Sequence, residues 1–236
     1  MLFSLVIPTY NERENIGLLI KDLNHVFRKN SIKAEIIIVD DNSPDNTGKL
    51  CKGLAKKQKN LVVIERSGKL GLSSAVIAGF GAAKGDVLGV MDADFSHPVQ
   101  TLPRMVAEIK KGADVVIGSR YVRGGGIEGW PIIRRITSLG ATTMALPLTS
   151  VRDPMSGFFV LRRGVIKGVS LDPIGYKIGL EIIVKGRYKK IVEVPYVFMN
   201  RKAGKTKLNA REYTNYLRHV FSLLLYKFIK LNKTGA

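Results

Sequence analysis

Cysteine is nearly missing from this 236-residue chain: Cys51 stands alone, so no disulfide can form within it, and a reducing compartment suits it. Acidic residues are scarce as well. Nineteen Asp and Glu stand against 38 Lys and Arg, a net charge of +19. That imbalance implies polyanionic company: nucleic acid, anionic lipid headgroups or phosphorylated substrates. A heat-adapted surface is the other reading, but it adds charges of both signs, and here one sign dominates. No apolar run approaches the roughly 18 to 20 residues needed to cross a bilayer. Met1-Leu2-Phe3-Ser4-Leu5 enters a strand with no basic leader, so no signal peptide is expected. Repeats and low-complexity tracts are missing. So are helix-turn-helix, zinc-finger and aromatic RNA-binding patterns, and nucleic acid is not an expected partner.

What is present centres on Gly89 to Pro98. An apolar run, Val87 to Met91, climbs into Asp92-Ala93-Asp94-Phe95-Ser96-His97-Pro98. Carried on a strand, Asp92 and Asp94 lie on one face, because strand side chains repeat every second residue. In open α/β sheets ligands bind at the carboxyl ends of the strands. Two carboxylates held there suit a hard divalent cation that takes its remaining ligands from water and phosphate. The alternative is a solvated pair capping the next helix, with Asp94 or Ser96 as the cap before Pro98.

Taken in order, the chain alternates strands and helices. Strands are expected at Leu2–Pro8, Glu35–Asp40, Leu61–Ile64, Val87–Met91 and Asp114–Gly118. Helices fall at about Arg13–Lys29, Asp45–Lys57, Gly71–Ala83 (rich in small residues, for close packing on a sheet) and Val99–Lys110. Such alternation gives a mostly parallel, doubly wound α/β sheet. Charged residues follow three of these strands, at Asp40/Asp41, Asp92/Asp94 and Arg120, and their loops share one sheet edge. In the second half, Ile132 to Leu148 is an apolar segment opened by Trp130, Arg134 and Arg135. A strand follows Asp153-Pro154-Met155-Ser156-Gly157-Phe158, a helix at Ile178–Lys185 carries Glu181, and Ile191–Met199 reads as an edge strand. A basic loop, Arg201 to Lys207, leads to an amphipathic aromatic helix over Asn209–Lys230. His97 reads as a turn histidine at a helix start.

Val6-Ile7-Pro8-Thr9-Tyr10-Asn11-Glu12, Ile38-Val39-Asp40-Asp41-Asn42-Ser43-Pro44-Asp45 and Met91-Asp92-Ala93-Asp94 together resemble the family-2 glycosyltransferases of the GT-A fold. Within them the chain is most similar to the polyprenyl-phosphate (dolichol-phosphate) mannosyltransferases. Gly118-Ser119-Arg120-Tyr121, Asp153 to Phe158 and the Arg201–Lys207 loop have counterparts there. The resemblance covers about residues 3 to 210, and implies a catalytic domain over 1–208 with an appended amphipathic helix over 209–236.

By that resemblance, Pro8, Tyr10, Glu12, Val39 and Asp41 line the nucleoside pocket. Asp92, Asp94 and Ser96 hold Mg²⁺ or Mn²⁺ on the diphosphate, with Ser96 where some relatives carry Gln, and Ala93 meets the nucleotide through its backbone. Arg120, Arg201 and Lys207 bind phosphates of the nucleotide sugar, and Asp92, Asp94 and Arg120 are the catalytic set. Arg134, Arg135 and Ser156 are candidates for the acceptor phosphate. The implied reaction is inverting transfer of mannose from GDP-mannose to a polyprenyl (dolichyl) monophosphate at the cytoplasmic face of a membrane. Ile132–Leu148 and the last helix, with Lys227, Lys230 and Lys233, would then meet the membrane surface. The enzyme would be peripheral, or would need a membrane-embedded partner subunit. Three alternatives stay open. The donor is a UDP-sugar of glucose or N-acetylhexosamine; the acceptor is a hydroxyl, with Asp153 as the general base it requires; or the chain is a non-catalytic binding module.

Overall fold

In a computed structural model, residues 1–199 and 210–234 are described, with side chains of the last helix described over 213–230. The chain runs β1 (Phe3–Thr9), α1 (Arg13–Lys29), β2 (Ala34–Asp40), α2 (Thr47–Ala55), β3 (Leu61–Glu65), α3 (Leu72–Ala82), β4 (Val87–Val90), α4 (Leu102–Lys110) and β5 (Val115–Ser119). It continues through β6 (Gly126–Ile127), α5 (Ile132–Ala145), β7 (Phe159–Arg162), α6 (Ile178–Lys185), β8 (Ile191–Pro195), β9 (Val197–Phe198) and α7 (Ala210–Thr234). Seven strands form one sheet in the order β3-β2-β1-β4-β7-β5-β8. β6 and β9 make a small parallel pair beside it.

The doubly wound reading holds, and its cause is visible along β1. Phe3, Leu5 and Ile7 enter one core with α1, α2 and α4, while Val6 enters the other with α3 and α6. Both faces are covered, so the strands are apolar throughout rather than alternating. On α3 the small residues have a clear purpose: a Cβ added to Gly79 would sit 2.4 Å from Val6 Cγ1. Only glycine lets that helix lie so close to the sheet.

Three expectations shift, and one strand direction is new. β4 stops at Val90, so Asp92 and Asp94 stand in the turn beyond the strand rather than on its face. α2 starts at Thr47, because Asn46 adopts left-handed backbone (φ 64°), outside helical geometry. The segment expected as one edge strand divides at Tyr196, β8 pairing with β5 and β9 with β6. Finally, β7 runs antiparallel to both β4 and β5. Its direction brings the residues that precede it, 153–158, to the edge where β1, β2, β4 and β5 end.

Candidate functional site

The edge begins with a turn that asparagine makes affordable. Asn11, Asn42 and Asn46 all take left-handed backbone, with φ of 58°, 54° and 64°, a conformation that short polar side chains tolerate. Pro8 and Val39 are paired across β1 and β2, and Val39 is fully buried. Tyr10 lies under the Lys69 ammonium, 4.3 Å from its ring centroid. Glu12 precedes α1, its N–H donating to Thr47 Oγ1 and its Oε2 accepting from Asn15. Asp41 accepts from Arg66 Nε at 2.5 Å and from the Gly71 N–H at 2.8 Å, in a buried ion pair. The structure thus gathers Pro8, Tyr10, Glu12, Val39 and Asp41 at the ends of two neighbouring strands.

One strand further on is the acidic turn. Ala93 and Asp94 are buried, and the Asp92 side chain keeps 33% exposure. Asp94 Oδ1 accepts the Ser96 N–H at 3.1 Å, closing the turn through Phe95. Phe95 itself is held at φ 62°, unfavourable for a bulky residue. Ser96 Oγ is buried with no hydrogen-bond partner. No side chain caps the helical turn that starts at Val99, so the capping alternative does not describe this segment.

Two carboxylates and an orphaned hydroxyl in one turn are a hard-oxygen donor set, and they fit Mg²⁺ or Mn²⁺ that draws its other ligands from phosphate and water. No cluster of three or more His, Cys, Asp or Glu side chains arranged for a metal occurs among the described residues. A cation here would therefore depend on the substrate to complete its shell.

His97 belongs to this turn more closely than a helix-start residue would. It is buried, stacked on Phe158 at 4.8 Å, and flanked by Tyr196 and Phe198. The Asp92 N–H donates to its Nδ1 at 3.0 Å, which puts the imidazole proton on Nε2, 3.8 Å from Asp92 Oδ2. Burial lowers the imidazole pKa against the pull of the Asp92 and Asp94 charges, so the ring is neutral. His97 sets the Asp92 backbone and meets its carboxylate. The His97-Pro98 pair gave no hint of this, because Phe158, the ring it stacks on, lies 61 positions away.

Past β7 the site turns cationic. Arg120 directly follows β5, buried, with Nε and Nη2 on the two oxygens of Asp153 at 2.8 and 2.7 Å and its own N–H on Oδ2. Burial opposes the guanidinium charge, but the Asp153 hydrogen bonds and charge outweigh it, and its pKa is raised. Asp153 is fully buried in that clasp, so it is not placed as an available base. Trp130 lies in the core between Arg120 and Arg134, whose guanidinium carbons are 5.5 and 4.0 Å from its ring. It is only 9% exposed and cannot serve as a headgroup-level anchor. Arg134 is thereby drawn toward Arg120. Arg135 is exposed and donates to the Ile127 carbonyl at 3.1 Å, apart from that cluster. Ser156 is buried, its Oγ accepting the Phe158 N–H at 3.2 Å. Arg201 and Lys207 lie outside the described residues.

One cation at this end of the edge lacked any sequence signal: Lys177, just before α6, whose Nζ donates to the Met155 carbonyl at 2.9 Å. Glu181 of α6, by contrast, faces away. It is buried against α7, 2.5 Å from Lys185 Nζ and 3.6 Å from His219 Nε2.

Residues 4–169 match the Glycosyl transferase family 2 profile. A dolichol-phosphate mannosyltransferase of Pyrococcus furiosus is 46% identical over 231 residues, 96% of this chain, which spans 65% of that protein's length. The protein of the same name from Saccharomyces cerevisiae is 37% identical over 96% of this chain and 88% of its own. A polyprenol monophosphomannose synthase of Mycolicibacterium smegmatis is 37% identical over 87% of this chain and 80% of its own. Among solved structures, glucosyl-3-phosphoglycerate synthase of Mycobacterium tuberculosis, bound to Mn²⁺, UDP and phosphoglyceric acid, superposes with a TM-score of 0.65. It shares 20% identity and covers 96% of this chain and 78% of its own, a likeness of fold. With the profile spanning most of the chain and relatives above a third identical over most of it, this protein belongs to glycosyl transferase family 2, and the relatives it resembles are named dolichol-phosphate mannosyltransferases.

Proposed function

We propose that the chain transfers mannose from GDP-mannose to a polyprenyl (dolichyl) monophosphate. One observation supports this above the rest: the Asp92–Asp94 turn stands between the nucleoside-side residues of β1 and β2 and the cationic cluster of Arg120, Arg134 and Lys177. That order suits a diphosphate at the turn and a second phosphate beyond it. A phosphate monoester with a second pKa of about 6 is already a nucleophile at neutral pH, so no general base is required, and the closure of Asp153 on Arg120 removes none that is needed. The acceptor oxygen forms its bond to the anomeric carbon as the bond to GDP breaks, and GDP leaves with the electron pair. Asp92, Asp94 and Ser96 would hold Mg²⁺ or Mn²⁺, which neutralises charge on the departing diphosphate. Arg134, over the Trp130 ring, adds positive potential beside an aromatic-lined wall, and Arg120 stands next to it with its charge paired to Asp153.

Membrane contact is supported by α5 and α7. Ile132, Ile133, Ile136 and Leu139 of α5 are exposed, as are Leu217, Phe221, Leu225 and Phe228 of α7. Tyr216 donates to the Ala141 carbonyl and Lys227 to that of Pro147, bringing the two helices together. Exposed apolar area on that scale marks an interaction surface. No helix among the described residues is long and apolar enough to cross a membrane. The reading is a catalytic unit over 1–208 with 209–236 appended, lying on the cytoplasmic face, alone or with a membrane-embedded partner.

The test is to incubate purified protein with Mn²⁺, a short polyprenyl phosphate and, in parallel, GDP-mannose, UDP-glucose and UDP-N-acetylglucosamine. A glycolipid from GDP-mannose alone, lost in Asp92→Ala and Asp94→Ala, is expected. A product from a uridine sugar changes the donor. No lipid product from any donor overturns the reading.

A further inference from the structure

Arg120 is the conspicuous cation on the acceptor side, yet Asp153 already answers its charge through both carboxylate oxygens, with both groups buried. Lys177 stands beside that pair in a different condition. It is partly buried, and the partners that hold its ammonium are neutral: the Met155 carbonyl at 2.9 Å and the Tyr176 ring, 4.6 Å from the centroid. An ammonium has three donors, and one carbonyl occupies only one of them.

The Met155 bond also fixes where that charge stands. Met155 lies in loop 153–158, between the ends of β4 and β5. In the same loop, a Cβ at Gly157 would be 3.9 Å from both Asp92 Oδ1 and His97 Cε1. Lys177 accordingly feels the charges of Arg120, Asp153 and Asp92. Tyr10 and Asp41 follow β1 and β2, on the opposite side of β4 in the sheet order.

We propose that Lys177 is a further substrate-contacting residue whose ammonium grips the phosphate of the acceptor, on the side of Asp92 away from the nucleoside. This rests on the reading of the chain as a transferase to lipid phosphate. Lys177 keeps its proton throughout: the phosphate oxygen bonds to the anomeric carbon, the nucleoside diphosphate takes the bonding pair, and the lysine holds the attacking group in line. Burial, aided by Arg120, lowers its pKa to about 8 against Asp153 and Asp92, which leaves it cationic at neutral pH.

Lys177→Met and Lys177→Arg would be compared with wild type by steady-state kinetics, varying GDP-mannose and a short polyprenyl phosphate in turn. Calorimetric titration of GDP-mannose and a thermal melt accompany them. Loss of a charged hydrogen bond in Lys177→Met is expected to raise the acceptor KM about tenfold or more, with the donor KM and calorimetric affinity within about twofold of wild type. Lys177→Arg should recover most of the loss. An unchanged acceptor KM overturns the proposal. So does a rise in the donor KM instead, which would put the ammonium on the diphosphate. Arginine faring no better than methionine, with a lowered melting temperature, would make the residue a packing element. Wild type that makes no glycolipid from any donor overturns the parent reading together with this one, whereas active wild type and an indifferent Lys177→Met overturns this one alone.

Discussion

Along β1 and β2 the carboxylates are answered locally: Asp40 accepts from Thr9 and Ser43, and Asp41 from Arg66 and the Gly71 N–H. Across β4 the balance is otherwise. There a lysine is held by a carbonyl and a ring, Ser96 Oγ has no partner, and two helices turn isoleucine, leucine and phenylalanine outward. The first region is complete within the chain, as a cradle for a nucleotide should be if it is to lose no free energy on reorganisation. The second has donors and apolar area left over, and what they suit is a phosphate on a hydrocarbon tail.

The comparison can be broken at its boundary first. Asp92→Ala is expected to lower transfer by about 10³-fold or more, the scale seen when charge stabilisation at a reacting centre is removed. Its melting temperature should hold within a few degrees, since Asp92 is partly exposed. Next is Asp153→Ala, which leaves Arg120 buried without its partner at a cost of about 3 kcal/mol or more. A melt should show the midpoint falling by about 6 °C or more; an unmoved midpoint would mean that the clasp is not structural. On the outer surface, Ile133→Ser combined with Phe221→Ser should reduce sedimentation with anionic vesicles about tenfold or more. Glycosyl transfer to a detergent-dispersed short acceptor should continue. The smallest effect is in pH. Lys177 is cationic below about 8, and the acceptor becomes a dianion above about 6, so kcat/KM for the acceptor should peak between those limits. Lys177→Arg should remove the alkaline decline and leave the acidic limb unchanged.

How much of this could be read from sequence follows the same divide. In the first half, strands buried on both faces announce themselves as runs such as Ile36-Ile37-Ile38-Val39, and the bounds of α1 are those the pattern indicates. The place of the acidic turn is also legible, because Asp92 and Asp94 follow directly on the apolar run of β4. What pairing decides was not. Phe159–Arg162 looks alike in either direction, and only β7 running backwards sets Asp153 against Arg120, 33 residues apart. Trp130 opens the segment expected at the membrane surface, and nothing local shows that its ring is core, closed over by Phe198 at 5.0 Å. Lys177 carried no signal, since nothing within a helix-start lysine tells which carbonyl it will find.

The reversed strand β7 also separates what the site can change from what it must keep. The residues proposed to line the nucleoside pocket stand at or just past the ends of β1 and β2, strands that feed both cores. Loop 153–158, in contrast, only enters a strand whose pairing with β4 and β5 is fixed by four and three residue partners. Within that loop Asp153 is clasped to Arg120 and Phe158 is stacked on His97, which leaves 154–157 as the stretch free to vary. Variation confined to that stretch is expected to alter which phosphate is accepted while Tyr10 and Asp41, on the far side of β4, stay as they are.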